Sequence, residues 1–351
     1  MADRDLSGDL QQQVQQAAAN RTPLHLTGGG SKAFYGGNCH AEHKLALAEH
    51  RGIIAYEPTE QVITARAGTR LRDLSGLLAT HGQMLAFEPP HFGEPATLGG
   101  AMACGFSGSR RPFAGAARDF MLGCKIINGH GEVLKFGGQV MKNVAGFDVS
   151  RLMVGALGSL GVLLEVSLRV MPRADTELTL AYAMTEAEAL TKMSALASRP
   201  WPLSAQAYAG GLLRVRLSGA EAAVRATARQ IGGEVDTAGE EFWPALREQQ
   251  LGFFQQPGEL WRISLAPANP PLPLAGQWLL DWNGALRWLK TGESAAAIHN
   301  AAARAGGYAV CFRGGNKNDW FRLDAGLLTL QQKIRAAFDP LGLFNPGRLH
   351  H

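Results

Sequence analysis

A glycine-rich loop near the start of the chain has the composition of a phosphate-binding loop. Residues 27–32 read Thr-Gly-Gly-Gly-Ser-Lys and follow Pro23-Leu24-His25-Leu26, which predicts a buried strand. Successive backbone N–H groups in such a loop can point at one anion, because no side chain blocks the approach. A Rossmann site needs G-x-G-x-x-G at the start of a helix, whereas residues 31–37 are poor helix formers. A Rossmann loop and a plain flexible loop remain as alternatives.

Small residues are most concentrated between residues 94 and 172. Asn128-Gly129 lies between two apolar runs there and predicts a hairpin, and residues 162–170 alternate as a strand that ends at Pro172. Glycine and other small side chains let a backbone come close to a ligand or to another backbone. We therefore interpret this stretch as a glycine-lined ligand surface carried on hairpins.

Six segments of this stretch resemble, in order, the FAD-binding domain of the vanillyl-alcohol oxidase and p-cresol methylhydroxylase (PCMH) type. They are TLGGAM (97–102), SG (107–108), RDFMLG (118–123), KNVAGFD (142–148), GALGSLGVLLE (155–165) and LRVMP (168–172). The resemblance covers residues 20–172 and returns in FDPLGLFNPGRL (338–349). Within this family the chain resembles the smaller flavin subunits of bacterial glycolate oxidase complexes.

The resemblance implies an α+β fold with three parts. These are a two-subdomain PCMH-type FAD-binding domain at 1–172, a smaller α+β cap domain at 173–323, and a C-terminal helix and tail at 324–351 that pack back on the FAD domain. The implied cofactor is non-covalent FAD, because the first glycine loop lacks the histidine to which some members tether it. The implied cofactor-binding residues are Gly28, Gly29, Gly30, Ser31, Pro90, Thr97, Gly99, Gly100, Ser107, Gly108, Gly158, Ser159, Gly161, Val162 and Asn345. A side chain at Gly29 or Gly99 is expected to crowd the cofactor.

Oxidation of a 2-hydroxy acid needs a cation for the carboxylate and a base or metal for the hydroxyl. The catalytic relatives place histidines in the cap, but here residues 131–298 contain no histidine, and His299 is interpreted as structural. Arg313 and Lys317 are weak candidates for the cation, with surface or interface cations as the favoured alternative. The catalytic residues are therefore left unknown.

The composition of the chain argues against several classes of protein and of binding site. A net charge of +4 without a basic run argues against nucleic-acid binding, and the absence of a signal peptide or a long apolar run predicts a cytoplasmic protein. The four cysteines form no CxxC pair, so neither an iron–sulfur cluster nor a resident metal is expected. A metal site at Cys39, His40 and His43 is the weaker alternative. His350 and His351 are left out of the functional argument.

Periodicity predicts the remaining elements. The predicted helices are 8–19, 71–81, 186–197, 221–231, 294–305 and 327–338, the last with its apolar side chains on one side. The predicted strands are 23–26, 53–57, 62–67, 84–87, 122–127, 132–136, 162–170, 177–183, 212–217, 260–265, 278–282, 286–289 and 308–312.

Three functions compete. The resemblance favours a flavin subunit of a complex that oxidises glycolate to glyoxylate, with a larger FAD-containing catalytic subunit and an iron–sulfur subunit as partners. Through these partners the chain would associate with the inner membrane. The alternatives are a self-sufficient FAD-dependent oxidase of a small hydroxy acid or sugar, and a structural subunit without flavin.

Overall fold

The computed structural model describes residues 3–138, 148–317 and 320–349. The chain divides into two compact units. Unit 1 comprises Met1–Ser107, Ala116–Pro172 and Leu323–His351, and unit 2 comprises Gly108–Gly115 and Arg173–Arg322. The sequence prediction did not anticipate that Gly108–Gly115 would group with unit 2. Most of the KNVAGFD segment (142–148) lies outside the described residues.

Helices occur in both units. In chain order they are α1 (Ser7–Asn20), α2 (Leu71–Thr80), α3 (Leu98–Cys104), α4 (Arg111–Ala114), α5 (Val149–Leu152), α6 (Glu186–Ala197), α7 (Glu221–Ile231), α8 (Gly239–Arg247), α9 (Gly252–Gln255), α10 (Ala295–Arg304) and α11 (Ala325–Phe338). Short 3₁₀ turns lie at Ala117–Phe120 and Trp282–Gly284. No helix within the described ranges is long and apolar enough to cross a membrane.

The strands complete the two units. They are β1 (Leu24–Thr27), β2 (His43–Ala46), β3 (Ile53–Glu57), β4 (Val62–Arg66), β5 (Gln83–Met84), β6 (Met121–Ile127), β7 (Val133–Gly137), β8 (Val162–Arg169), β9 (Met171–Pro172), β10 (Thr176–Ala183), β11 (Leu203–Ala209), β12 (Leu212–Gly219), β13 (Glu234–Val235), β14 (Glu259–Ser264), β15 (Gln277–Asp281), β16 (Leu286–Thr291) and β17 (Tyr308–Arg313).

The main sheet of unit 1 has the order β3-β4-β8-β6-β7, and every neighbouring pair is antiparallel. β8 lies at its centre and carries the predicted alternation, but the sheet is covered on both faces, so Leu163 and Ser167 are buried as well. The Ser167 hydroxyl satisfies its hydrogen bonding with the Thr64 hydroxyl, 2.8 Å away on β4. A buried polar group of this kind is tolerated because it has a partner.

The predicted hairpin between β6 and β7 is confirmed, with a longer turn than the Asn-Gly pair suggests. Five residues, Asn128 to Glu132, connect the strands. Asn128 Oδ1 accepts the N–H groups of His130 at 3.0 Å and Glu132 at 2.9 Å, and Gly131 takes the left-handed φ of 74°. The asparagine side chain therefore organises the turn from its first position, in the manner of an Asx turn.

β1 is held between two distant parts of the chain. It pairs in parallel with β2, and on its other side Leu24 donates its N–H to Leu343 O at 2.7 Å and accepts from Asn345 N–H at 2.9 Å. Leu10, Val14 and Ala17 of α1 pack in the same apolar cluster as Leu24 and Phe344. The C-terminal tail therefore extends the β1–β2 pair and fixes the start of the glycine-rich loop.

Unit 2 contains one antiparallel sheet of eight strands in the order β13-β10-β12-β11-β15-β16-β14-β17. Helices α6 and α7 cover part of it, and their buried side chains meet those of β10, β11 and β12 in one apolar cluster. α6 begins with a capping box, in which Thr185 and Glu188 each bond the other's backbone N–H group.

Most predicted elements are confirmed, and the exceptions have physical reasons. α6 and α7 have the predicted bounds. The strand predicted at 84–87 is reduced to Gln83–Met84, and β11 and α8 were missed. β11 is rich in small and polar residues, which give little alternation, and Pro244 within α8 argues against a helix there.

α11 forms where the sequence predicts it, but its apolar side does not join a core. None of its residues is buried, and Leu327 and Leu330 are 48% and 52% exposed. Its end is anchored instead, because Gly129 N–H donates to Phe338 O at 2.8 Å and the Asp339 carboxylate accepts the N–H groups of Leu343 and Phe344. The tail after the helix, rather than the helix itself, packs closely on unit 1.

Candidate functional site

A groove in unit 1 brings together the glycine-rich loop, the start of α3 and the C-terminal tail. All three segments contribute residues to its lining. Its lining residues are His25, Leu26, Thr27, Gly28, Gly29, Gly30, Ser31, Lys32, Ala33, Thr97, Gly100, Ala103, Cys104, Leu157, Asn345 and Arg348. The predicted residues Gly28 to Ser31, Thr97, Gly100 and Asn345 are among them.

The loop after β1 is shaped by turns rather than by a helix. Gly30 takes a left-handed φ of 72°, and Ala33 N–H donates to Gly30 O at 3.0 Å. Residues 31–37 remain in turns and bends, so the helix that a Rossmann loop requires does not follow. A Cβ on Gly28 would lie 2.5 Å from Thr97 Oγ1, which shows how closely the loop approaches the start of α3.

The start of α3 forms the second wall. Thr97 is its N-cap, and Thr97 Oγ1 accepts the N–H of Gly100 at 3.2 Å. Leu98 N–H donates to Thr69 O at 2.8 Å and Gly99 N–H to Ala67 O at 2.7 Å, so the helix start is tied to the segment that follows β4. These bonds fix the position of Gly100 relative to the glycine-rich loop.

Asn345 joins the tail to both neighbouring segments. Its Oδ1 accepts Leu26 N–H at 2.8 Å, and its Nδ2 donates to Leu157 O at 2.7 Å. The residue is buried and has a left-handed φ of 45°, a conformation that asparagine adopts more easily than most residues. The sequence predicts a flavin contact at this position, and in the structure its amide also holds the groove's backbone in place.

Two cations line the groove. Lys32 Nζ donates to His91 O at 3.1 Å, and the Arg348 guanidinium donates to Ala33 O at 3.1 Å and Lys32 O at 3.4 Å. Among the described lining residues, none is Asp or Glu. The groove therefore carries net positive charge, which suits an anionic ligand.

The titratable groups of the groove respond to burial and to these cations. Burial, followed by the charges of Arg348 and Lys44, lowers the pKa of His25, so the ring is neutral at neutral pH. Burial raises the pKa of the Cys104 thiol to about 11, although Lys32 and Arg348 act in the opposite direction. Cys104 is thus a neutral thiol and a poor nucleophile.

These features fit the pyrophosphate of FAD. Its two phosphates need N–H donors, positive charge and close backbone approach, and the groove offers glycine backbone, the Ser31 and Thr97 hydroxyls, Lys32 and Arg348. The sequence prediction missed Lys32 and Arg348 as site residues. Their only signal was a cation directly after each glycine-containing turn, in Gly-Ser-Lys and in Asn-Pro-Gly-Arg.

Two predicted glycines are needed for packing rather than for access to the groove. A Cβ on Gly29 would lie 1.5 Å from the Pro95 carbonyl oxygen, and one on Gly99 would lie 2.7 Å from Ala67 Cβ. Gly29 still lines the groove, whereas Gly99 does not. The expectation that side chains at Gly29 and Gly99 would crowd the cofactor is therefore corrected, because they would first collide with the protein itself.

Gly158 to Val162 form the turn that enters β8 and do not line the groove. Gly158 and Gly161 have positive φ of 71° and 154°, and a Cβ on Gly158 would lie 2.8 Å from Asn345 Nδ2. The Ser159 hydroxyl donates to Ala156 O at 2.7 Å, and Val162 is fully buried in the sheet. Their neighbour Leu157 does line the groove, so this turn supports its wall.

Pro90, Ser107 and Gly108 also lie outside the groove lining. Pro90 is buried and directly precedes His91, whose carbonyl accepts Lys32. The Ser107 hydroxyl accepts Ala117 N–H at 3.0 Å, and Gly108, in unit 2, accepts the Trp282 indole N–H at 2.9 Å. The structure gives these residues backbone and packing contacts.

Arg313 and Lys317, the weak catalytic candidates, lie in unit 2. Arg313 Nε donates to Gln249 Oε1 at 3.0 Å, and burial lowers the pKa of Arg313. Burial raises the pKa of the Cys311 thiol to about 11, and the charge of Lys317 partly opposes this. His299 is buried on α10, with its ring edge-on to Trp261 at 5.3 Å. In the part of the chain that the structure describes, no group of three or more His, Cys, Asp or Glu residues is arranged to hold a metal ion.

The chain is similar in sequence to known proteins. A family model described as "FAD binding domain" matches residues 7–137. The glycolate oxidase subunit GlcE of Escherichia coli strain K12 is 48% identical over 346 residues, which cover 99% of this chain and 98% of that protein. The glycolate oxidase subunit GlcD of Bacillus subtilis strain 168 is 29% identical over 186 residues, 52% of this chain and 39% of that protein.

Two further known proteins are less similar to the chain. A D-lactate dehydrogenase of Archaeoglobus fulgidus is 31% identical over 153 residues, 43% of this chain and 34% of that protein. A crystal structure of alkyldihydroxyacetonephosphate synthase matches with a TM-score of 0.67 at 15% identity, covering 97% of this chain and 74% of that one, which is a likeness of fold. Because it is 48% identical to GlcE over 99% of its length, the chain belongs to the family of FAD-binding glycolate oxidase subunits of the GlcE type.

Proposed function

We propose that the chain is the smaller FAD-binding subunit of a glycolate oxidase complex. The observation that carries this proposal is the cationic, glycine-lined groove within a chain that is 48% identical to GlcE over nearly its whole length. Bound FAD would supply hydride and single-electron chemistry, and the protein's part is to bind and orient it. Gly28 to Ser31, Gly100, Lys32 and Arg348 would hold the pyrophosphate.

The partners are also part of the proposal. A larger FAD-containing subunit would oxidise glycolate to glyoxylate, and an iron–sulfur subunit would carry the electrons onward to the inner membrane. GlcD, named as a glycolate oxidase subunit in Bacillus subtilis, supports the first partner. The chain itself has no CxxC pair for a cluster, so a one-electron relay needs another protein. We place this complex in the cytoplasm, with the chain attached to the membrane through its partners.

This chain is proposed not to oxidise the acid on its own. A catalytic site needs a group that takes the hydroxyl proton. Residues 131–298 contain no histidine, and His299 is buried against Trp261. We also assign no catalytic role to Arg313 or Lys317, the candidates for the cation that binds the carboxylate.

Anaerobic reduction tests this role. The FAD-loaded chain is mixed with glycolate or D-lactate in the absence of oxygen, and the flavin absorbance is followed. We expect no rapid bleaching until both partner subunits are added. Rapid bleaching by the chain alone would support the self-sufficient oxidase instead.

The cofactor is tested separately. Purified protein should be yellow, and acid or heat should release the flavin into solution, because the proposed contacts are all non-covalent. Colourless protein that takes up no added FAD would favour the structural subunit. Flavin that stays with the precipitate would reject only the non-covalent attachment.

A further inference from the structure

The C-terminal tail, residues 339–349, is held on unit 1 by backbone hydrogen bonds to two segments. With one of them, β1, it pairs in the manner of a further strand. The other is the segment that follows the glycine-rich loop, where Gly37 N–H donates to Arg348 O at 2.8 Å and His40 N–H donates to Pro346 O at 3.0 Å. The tail therefore bridges the strand before the loop and the segment after it.

Asp339 anchors the start of this tail. It is buried, and each of its carboxylate oxygens accepts one backbone N–H at 2.8 Å, Oδ1 from Leu343 and Oδ2 from Phe344. Leu343 and Phe344 are themselves buried in the apolar cluster that α1 shares with β1. Gly129 passes so close that a Cβ there would lie 2.8 Å from Asp339 Cα. One carboxylate thus folds the first turn of the tail and directs its apolar residues into unit 1.

The helix before the tail gives it little support. None of the residues of α11 is buried, although Arg335 in its last turn donates to Phe344 O at 3.1 Å. A segment with few buried contacts opens at a lower free energy than the sheet on which it packs. The bonds of the tail itself, and above all those of Asp339, therefore decide whether the tail stays in place.

The tail also supplies two residues of the groove lining. Asn345 and Arg348 belong to it, so an open tail would leave the groove without one of its cations and without the amide that holds its backbone. We propose that residues 339–349 open and close on unit 1 as one strap anchored by Asp339, while the main sheet stays folded, and that FAD binds only when the strap is closed. Because FAD binds only the closed form, bound FAD holds the strap closed. The choice of FAD as the ligand rests on the proposed function.

Hydrogen exchange of the full-length chain tests the strap. Backbone amide exchange is measured by mass spectrometry without FAD and with FAD at about a hundred times its Kd. Without FAD, the strap should exchange faster than β8 at the centre of the main sheet. With FAD, exchange in the strap should slow about a hundredfold, because each opening now competes with a ligand at that concentration. Exchange at the end of α2, where His81 N–H donates to Leu78 O, should not change, since a helix end frays locally.

Asp339→Asn tests the anchor. Asparagine offers one acceptor oxygen instead of two, so without FAD the strap should exchange about tenfold faster, the effect of losing one hydrogen bond, and added FAD should slow it again. Asp324→Asn is the matched control, because Asp324 caps the other end of α11 by accepting Leu327 N–H at 2.9 Å and its loss removes the same charge outside the strap. In this control the strap should exchange as in the wild type.

The wild-type measurement decides the proposal even if Asp339→Asn does not fold. Bound FAD with unchanged exchange in the strap would overturn the coupling, and a strap that exchanges no faster than β8 would overturn its independent opening. Equal strap exchange in the two aspartate variants would overturn the role of Asp339 as the anchor. Failure to bind FAD, measured by flavin fluorescence on the same samples, would reject the proposed function and the coupling with it, whereas the comparison with β8 would still test the strap.

Discussion

The glycine-rich loop and the start of α3 each have one side that packs against the protein and one side that faces the groove. Their glycines serve a different purpose on each side. On the packing side, the absent side chains of Gly29 and Gly99 leave room for Pro95 and Ala67. On the groove side, Gly30 has no atom within 4 Å of its would-be Cβ, and Gly100 has only Thr97 Oγ1, at 3.1 Å. Neighbouring glycines thus serve either close backbone packing or ligand access, and only the direction of the missing Cβ separates them.

The largest effect is expected on the packing side. Gly29→Val should prevent folding or destabilise the protein by more than about 4 kcal/mol, because the Pro95 backbone cannot move away from the new side chain. Soluble yield and thermal unfolding measure this. The control is Gly8→Ala, an exposed helix glycine with nothing within 4 Å, which should fold normally. A folded Gly29→Val protein that lacks only flavin would show that a side chain at residue 29 enters the groove and does not collide with Pro95.

Gly100→Leu should separate the two sides. The side chain would extend into the groove and overpack it, so FAD affinity should fall about a hundredfold, equivalent to about 3 kcal/mol, while the protein still folds. Flavin fluorescence titration and thermal unfolding of the apoprotein measure the two effects. Gly76→Leu, at an exposed position of α2 with open space around it, should leave both unchanged. Unchanged FAD affinity in Gly100→Leu would contradict the groove as the cofactor site.

Asn345 belongs to both sides, since it lines the groove and also bonds Leu26 and Leu157. Asn345→Asp keeps the acceptor for Leu26 N–H but loses the donor to Leu157 O. We expect a loss of stability of about 1–3 kcal/mol in the apoprotein, seen as a lower Tm. Asn20→Asp, at an exposed helix end, is the control. A variant with wild-type Tm and weaker FAD binding would make Asn345 a groove residue alone.

The smallest effect is expected from one groove cation. Arg348→Gln should weaken FAD binding about tenfold and reduce its dependence on salt, because one positive charge near the pyrophosphate is lost. The apoprotein Tm should fall modestly, because the bonds to Ala33 O and Lys32 O are also lost. Arg118→Gln, at an exposed surface arginine, should alter neither FAD binding nor Tm. FAD titrations at low and high ionic strength measure the difference. An unchanged salt dependence would remove Arg348 from the pyrophosphate site.

Local patterns in the sequence predict much of the fold. The bounds of α6 and α7 and the Asn128 hairpin follow from periodicity and turn residues, which act over a few neighbouring positions. β11 was missed because its small and polar residues give little alternation, and α8 because Pro244 argues against a helix interior. The apolar side of α11 was interpreted as a packing face, but no part of unit 1 that the structure describes buries it.

The glycine-rich loop and the small residues of 94–172 are properties of the sequence alone, and their resemblance to the PCMH-type family predicts a flavin-binding chain. The tertiary structure decided which glycines open to the groove, because that depends on where each missing Cβ points relative to distant backbone. It also brought Arg348, from the end of the chain, beside Lys32 near its start. A contact between residues so far apart in sequence leaves no local pattern, since it arises only when the tail adds to the edge of β1.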